Sequence, residues 1–214
     1  MRIGPNTLYR RLGKPILDRA AAGIGLVVLS PVLAITAATV AIRLGRPVLF
    51  RQIRPGKGGR LFEIVKFRTM TDARGPDGKL LPDAHRLTPF GRFLRSSSLD
   101  ELPELWNVLR GEMSFVGPRP LLPDYLPHFT STQARRHEVR PGITGWAQTR
   151  GRNDTTWEAR LSDDVYYVDH ASFSLDLKIL LRTFATVMGR KGVTAKGHPT
   201  MPRFDGADQD RASQ

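Results

Sequence analysis

The chain contains no cysteine. That excludes a disulfide scaffold, thiolate metal centres and a cysteine nucleophile. Its 5 histidines are scattered and form no H-E-x-x-H pair, so the zinc-hydrolase helix is excluded as well. No G-x-x-x-x-G-K-[ST] loop occurs, and Gly56-Lys57-Gly58-Gly59-Arg60 reads as a hairpin turn instead. A G-x-S-x-G elbow is also missing, and there is no internal repeat. Acidic residues are scarce: 20 Asp+Glu stand against 33 Lys+Arg, for a formal net charge of +13. Such an excess calls for an anionic partner, whether nucleic acid, acidic lipid or a phosphorylated substrate. Nucleic acid is the weakest of these, because no recognition module or aromatic platform accompanies the charge.

Long apolar runs are scarce too. Mean hydropathy is −0.28, and one stretch stands out, the 23 charge-free positions from Ala20 to Ile42. Ser30-Pro31 lies at its middle. Pro31 lacks an N–H and clashes with the carbonyl four residues back. Ser30 can hydrogen-bond a freed carbonyl, which matters where lipid offers no water. Arg2, Arg10, Arg11, Lys14 and Arg19 precede the run, and Arg43, Arg46, Arg51, Arg54, Lys57 and Arg60 follow it. This symmetry favours both ends on one side of a membrane, hence a re-entrant hairpin. An uncleaved single span is the rival, and a cleaved signal peptide fits less well because the apolar run is too long.

The remaining pattern predicts an α+β chain, mainly helical. Residues 1–46 form a basic segment and the broken apolar helix, 47–192 a globular domain, and 193–214 a loose tail. Two β-rich runs around Pro55–Gly59 predict a β-hairpin. Helices are predicted over Thr88–Arg95, Leu102–Leu109 and Ser131–Val139, with loops over 71–86 and Pro141–Gly145. Thr155-Thr156-Trp157-Glu158 predicts a capping box opening a helix toward Val168. Ser174–Met188 is amphipathic, with Leu175, Ile179, Leu180, Phe184, Val187 and Met188 on one side.

The densest chemistry lies in Arg95-Ser96-Ser97-Ser98-Leu99-Asp100-Glu101-Leu102-Pro103. Pro103 places Asp100 and Glu101 at or just before a first helical turn. There the free N–H groups favour carboxylates and welcome phosphate. Adjacent residues point in different directions on a helix, so one acid can face a substrate while the other orients a metal or a proton. Ordinary helix capping also explains an acidic first turn. The arginines change the balance. Arg119 is bracketed by Pro118 and Pro120, and Arg140, Arg150 and Arg152 stand in Gly/Pro-rich loops. Rigidly held guanidinium groups suit two-point grips on phosphate. A carboxylate nucleophile with a hard divalent cation and arginines around a phosphate is the design left standing.

Five segments together resemble the bacterial sugar transferases, the monotopic polyprenyl-phosphate phosphoglycosyltransferases. They are Lys66–Met70, Leu87–Arg95, Ser98–Leu105, Asn107–Pro120 and Arg140–Gln148, in that order. The chain is similar to the minimal catalytic form over residues 12 to 190. The resemblance implies a re-entrant helix broken at Ser30-Pro31, with 47–192 as a cytosolic catalytic domain carrying amphipathic interfacial helices. It implies Asp100 as nucleophile and Mg²⁺ contact, with Glu101 beside it. Arg95, Arg119, Arg152, Asp164, Lys66 and Arg68 are implied as substrate-binding residues. Asp163 adjoins Asp164, and Arg150 lies near Arg152, so those two assignments have close alternatives. The implied reaction moves a sugar 1-phosphate from a UDP-sugar to undecaprenyl phosphate, through an aspartyl phosphosugar and with release of UMP. The implied place is the cytoplasmic face of the bacterial inner membrane. Expected partners are a UDP-sugar, undecaprenyl phosphate and membrane phospholipid, with no nucleic acid and with a homo-oligomer compatible. The competing reading is a non-catalytic basic membrane protein that binds acidic lipid or an assembly partner.

Overall fold

The charge-free run forms two helices, not one, in the computed structural model, which describes residues 8–150, 156–189 and Phe204. A π-helical turn, Tyr9–Gly13, leads into α1, Lys14–Val28. α2, Ser30–Leu44, follows at an angle of 64°. Pro31 has no N–H to give to Val27 O, and Ser30 Oγ donates to that carbonyl at 2.7 Å instead. Among the described residues no single helix is long and apolar enough to cross a membrane, whereas the bent pair has the length and composition together.

The chain then makes the expected hairpin, β1 (Leu49–Pro55) antiparallel to β2 (Leu61–Phe67), in register from Leu49 opposite Phe67 to Pro55 opposite Leu61. Residues 71–86 are mostly loop, closed by α3, Asp83–Arg86. α4, Pro89–Ser96, is capped by Thr88, whose hydroxyl accepts from Gly91 N–H. A 3₁₀ turn, Leu99–Glu101, precedes α5, Glu104–Arg110. Gly111 ends α5 at φ +77°, a conformation suited to glycine. β3 (Ser114–Val116) pairs in parallel with β4 (Gly142–Thr144). Between them lie α6 (Ser131–Ala134) and the 3₁₀ turn Arg135–Glu138. α7 (Trp146–Arg150), α8 (Trp157–His170) and α9 (Phe173–Met188) complete the described chain. The fold is thus mainly helical with two small two-stranded sheets.

Several local expectations change. Pro141–Gly145 is not only a loop, because Gly142–Thr144 forms β4. Ser131–Val139 is not one helix: it tightens to 3₁₀ after Ala134, and Val139 is already extended. The cap of α8 is Thr156, accepting from Ala159 N–H, so the register moves by one residue and no Glu closes a box. Thr155 lies outside the described residues, as does the predicted tail apart from Phe204. The reciprocal capping box occurs at Thr130 and Gln133. On α9, Ile179 is buried but Leu180 and Phe184 are exposed, so the predicted single apolar side divides into an inner stripe and an outer face.

The two halves of the bent helix pack into two separate apolar clusters. α1 lays Ala22, Leu26 and Leu29 on Leu105, Val108 and Met113, together with Phe62 and Ile64 of β2. Gly25 faces Leu105, where a Cβ would stand in ordinary contact at 3.4 Å from Cδ1. α2 lays Leu33, Ala37, Val40 and Leu44 on Phe67, Leu94 and Leu99. Burying each such large apolar side chain contributes about 1.5–3 kcal/mol. Asn107 joins the hairpin to α5: its Oδ1 accepts from Val65 N–H at 3.1 Å, and its Nδ2 donates to Glu63 O at 2.7 Å and Glu112 Oε2 at 2.8 Å. Because Asn107 is buried, Asn107→Ala strands these partners away from water. The expected loss is about 3 kcal/mol, read as a fall in the thermal midpoint of the detergent-solubilised protein. A midpoint equal to that of the wild type contradicts the role given to Asn107.

Candidate active site

Three pieces of chain converge on the Leu99–Glu101 turn. Ser98 enters it at φ +55°, left-handed for a residue with a Cβ, a strained geometry held by its surroundings. From β2, Lys66 Nζ reaches Glu101 Oε1 at 2.8 Å and Glu104 Oε1 at 2.8 Å. From the Gly117–Pro120 turn, Arg119 Nη2 reaches the same Glu101 oxygen at 2.8 Å. Arg95, near the end of α4, donates from Nε to Thr69 Oγ1 at 3.0 Å. That contact depends on Gly91, where a Cβ would stand 1.8 Å from Thr69 O. Asp100 is buried beside these groups and forms no ion pair among the described residues.

The adjacent acids have opposite electrostatics. Burial, then the charge of Glu101, pushes the Asp100 carboxyl up to about 6, against the pull of Lys66, Arg119 and Arg95. Burial also opposes charge on Glu101, but Arg119 and Lys66 outweigh it and hold that carboxyl well below the usual range. Glu104, with 2 % of its side chain exposed, is driven up by burial and only partly offset by Lys66. The expectation that a helix start favours the charged form therefore fails at Asp100, where burial and a like-charged neighbour outweigh it. Glu101 raises the Arg119 guanidinium further above its already high range, while burial lowers that of Arg95.

Lys66, Arg95, Asp100, Glu101 and Arg119 are thus brought together. Arg68 is not: it is buried against the end of α2, donating to Leu44 O, to Arg46 O at 3.3 Å and to Asp72 Oδ2 at 2.8 Å. Asp164 is buried on α8 and bound to Arg136. Asp163 pairs with Arg150 at 3.4 Å, and Arg152 lies outside the described residues. Three participants went unread in the sequence. Glu104 lies three and four positions after the dyad, on the same helical face, and that spacing could have flagged it. Arg54 of β1 is half-buried near Arg119 and Glu104, its proton affinity lowered by burial and by Arg119; strand alternation with Gln52 was the available signal. Arg136 had no sequence signal.

Among the described residues no group of three His, Asp or Glu side chains could hold a metal alone. A hard cation such as Mg²⁺ accepts one or two carboxylates with phosphate oxygens completing the set. Asp100, whose carboxylate no described cation neutralises in an ion pair, fits that single-carboxylate role. The arrangement offers an acid poised near neutrality, a second acid fully committed to cations, and arginines facing the same space.

Comparison with known proteins bears on this site. The family model described as bacterial sugar transferase matches residues 9–190. A Bacillus subtilis (strain 168) protein named uncharacterized sugar transferase EpsL is 53% identical over 194 residues, covering 91% of this chain and 96% of that one. A Xanthomonas campestris pv. campestris protein named UDP-glucose:undecaprenyl-phosphate glucose-1-phosphate transferase is 40% identical, covering 86% of this chain but 40% of its own length. The Rhizobium meliloti (strain 1021) exopolysaccharide production protein ExoY is 36% identical, covering 85% of this chain and 88% of its own.

A carboxyl raised on folding weakens the folded state at high pH. The penalty is absent below the unfolded value near 4 and grows as pH rises through about 6. Asp100→Asn is therefore expected to raise the thermal midpoint at pH 8, by the equivalent of about 3 kcal/mol, and to have little effect on it at pH 4. In carboxyl ¹³C spectra Asp100 is expected to titrate near 6, and Glu101→Gln to shift that midpoint downward by removing the neighbouring charge. An Asp100 midpoint near 4 in the wild type, or an upward shift in Glu101→Gln, contradicts this electrostatic account.

Proposed function

The chain belongs to the bacterial sugar transferase family, and from that premise we propose that it transfers a sugar 1-phosphate from a UDP-sugar to undecaprenyl phosphate. The observation that carries the proposal is Asp100: buried, without an ion pair among the described residues, and adjacent to Lys66, Arg119 and Arg95. The printed names of the relatives, which include UDP-glucose:undecaprenyl-phosphate glucose-1-phosphate transferases and a UDP-galactose-lipid carrier transferase, support the substrate classes.

In the proposed reaction a carboxylate oxygen of Asp100 attacks the β-phosphorus of the UDP-sugar. The bond from that phosphorus to the bridging oxygen breaks, and UMP leaves with its electron pair. A phosphate oxygen of undecaprenyl phosphate then attacks the aspartyl phosphosugar, the acyl phosphate bond breaks, and Asp100 returns as carboxylate. Splitting one transfer into two steps predicts ping-pong kinetics. Arg119 and Arg95 stabilise charge on the phosphoryl oxygens and on UMP. Glu101 keeps Arg119 and Lys66 in place. Asp100 would hold Mg²⁺ together with substrate phosphate oxygens, and the ion would supply further neutralisation of phosphoryl charge.

The proposed setting is the cytoplasmic face of the bacterial cytoplasmic membrane, with α1 and α2 as a re-entrant hairpin. Ile24, Val27, Val28, Ile35 and Ile42 are exposed on the bent pair, Ile42 to 82%. Phe173, Leu177, Leu181 and Phe184 form an exposed apolar face on α9. Apolar surface of this extent marks a lipid or protein contact, and amphipathic helices of this kind lie in the interface plane.

Two outcomes are expected. Purified wild type releases UMP from a UDP-sugar with Mg²⁺ and polyprenyl phosphate, and acquires label from the β-phosphate; Asp100→Asn loses both. Labelling of Asp100→Asn at the wild-type level would falsify the nucleophile assignment, and a wild type that releases no UMP across a panel of UDP-sugars supports a non-catalytic membrane protein. Because the chain has no native cysteine, Leu12→Cys and Arg46→Cys can be read singly with an impermeant thiol reagent. Both should react from the cytoplasmic side. Reaction of the two from opposite sides establishes a single span.

A further inference from the structure

Arg119 must point the same way in every turnover, and its backbone is held unusually well. Gly117 N–H donates to Thr144 O at 2.9 Å, and Gly142 N–H donates to Pro118 O at 3.0 Å. These tie the turn to β4. A third tie comes from a side chain: Arg136 Nη2 donates to Arg119 O at 2.7 Å. Arg136 is gripped in turn. Its Nε and Nη2 both donate to Asp164 Oδ2, at 3.1 and 2.8 Å, and the Phe129 ring lies 5.6 Å from its guanidinium carbon. The two side chains are 2% and 4% exposed.

A buried ion pair is weak evidence for stability, because desolvation offsets the attraction. Its distinctive product is geometry. The pair joins α8 to the 3₁₀ turn Arg135–Glu138, and through one carbonyl it fixes the residue whose Nη2 meets Glu101 at 2.8 Å. Asp164 is almost fully buried and its Oδ2 is committed to Arg136, so turning that oxygen to a substrate would leave a buried guanidinium without its carboxylate. The Arg119 carbonyl would lose its donor in the same movement.

We propose that Arg136 and Asp164 are positioning residues: a buried brace that aims Arg119 at the phosphoryl group, with neither side chain contacting the substrate. The proposal rests on the phosphoryl-transfer reading given above for its catalytic consequence, and on the hydrogen-bond chain alone for its structural one.

Both parts are tested on the full chain in nanodiscs. Asp164→Asn keeps the shape of the carboxylate, and Arg136→Lys provides a second variant should the first not fold. Each is expected to lower kcat for UMP release roughly tenfold or more while KM for the UDP-sugar changes less than about threefold, since a misaimed Arg119 costs transition-state contact. In an Arg119→Lys background the same substitutions are expected to add less than about twofold, because residues acting through one group are not additive. A rise in KM with kcat unchanged, or losses that multiply in the double variants, overturns the proposal and makes Asp164 a direct contact. The second readout needs no turnover. The Nε–H cross-peak of Arg119 in ¹⁵N-arginine spectra, identified by its loss in Arg119→Lys, is expected to shift or broaden in Asp164→Asn and Arg136→Lys. An unchanged cross-peak overturns the brace. If the wild type releases no UMP from any UDP-sugar, the functional reading fails while the cross-peak still decides the brace.

Discussion

Glu101 is the point on which the site depends. It takes a lysine from the β-hairpin and an arginine from a Pro-bracketed turn, both on one oxygen at 2.8 Å. The hairpin, the Leu99–Glu101 turn and the segment after β3 are thereby pinned at one place. The same pairing shapes the neighbouring residue. Cations committed to Glu101 no longer fully compensate Asp100, while the negative charge they hold in place raises the affinity of Asp100 for a proton. Two acids adjacent in sequence have their proton affinities shifted in opposite directions because one is paired with cations and the other is not. The contacts of Lys66 and Arg119 thus distinguish two chemically similar side chains.

The second constraint is the missing hydrogen bond at Pro31. It bends the apolar segment by 64°, and the two arms then pack against the neighbours of the Asp100-Glu101 pair, α1 on Leu105 and α2 on Leu99. The start of the segment is tied down separately. Asp176 of α9 accepts from Tyr9 Oη at 2.6 Å, from Lys14 Nζ at 2.6 Å and from Tyr167 Oη at 2.7 Å. Ser114 of β3 donates to Asp18 of α1 at 2.6 Å. The exposed apolar faces of α1, α2 and α9 are therefore rigidly related to Asp100, and a surface that engages one of them sets the depth of the reacting acid.

What was legible in the sequence was local. Ser30-Pro31 announces a bend and its repair in adjacent residues. Pro103 fixes where the dyad can lie, and Pro118 and Pro120 announce a rigid arginine. What stayed hidden was long-range. β3 and β4 have three residues each and pair in parallel across more than twenty positions, too short for any period to show. Arg136 lies in a polar segment whose composition suggests solvent, and only the fold turns it inward. Arg68 reads as one more basic residue two positions from Lys66, on the same face if the strand ran on, but β2 ends at Phe67 and Arg68 turns away to serve the end of α2. At Asp100 the helix start is a real local effect, but burial is a tertiary quantity and overrides it.

The cost of the site follows from the same geometry. Asp100 is charged at neutral pH in a place that disfavours charge, and Ser98 holds a left-handed conformation. Each weakens the fold by an amount of order 1–3 kcal/mol. The nearby packing of Leu105, Val108 and Met113 on Ala22 and Leu29 is large enough to offset both. A lipid-linked phosphate stays at the head-group boundary because its charge disfavours entry into hydrocarbon, so an acid meant to meet it has to be presented at that depth. In the proposed setting the bent helix would do this without contributing a reacting group, its exposed Ile24, Val28, Ile35 and Ile42 meeting lipid. On this view the proline serves the chemistry as the carboxylate does, since straightening the helix would pull α2 from Leu99 or α1 from Leu105, the residues that flank Asp100 in sequence.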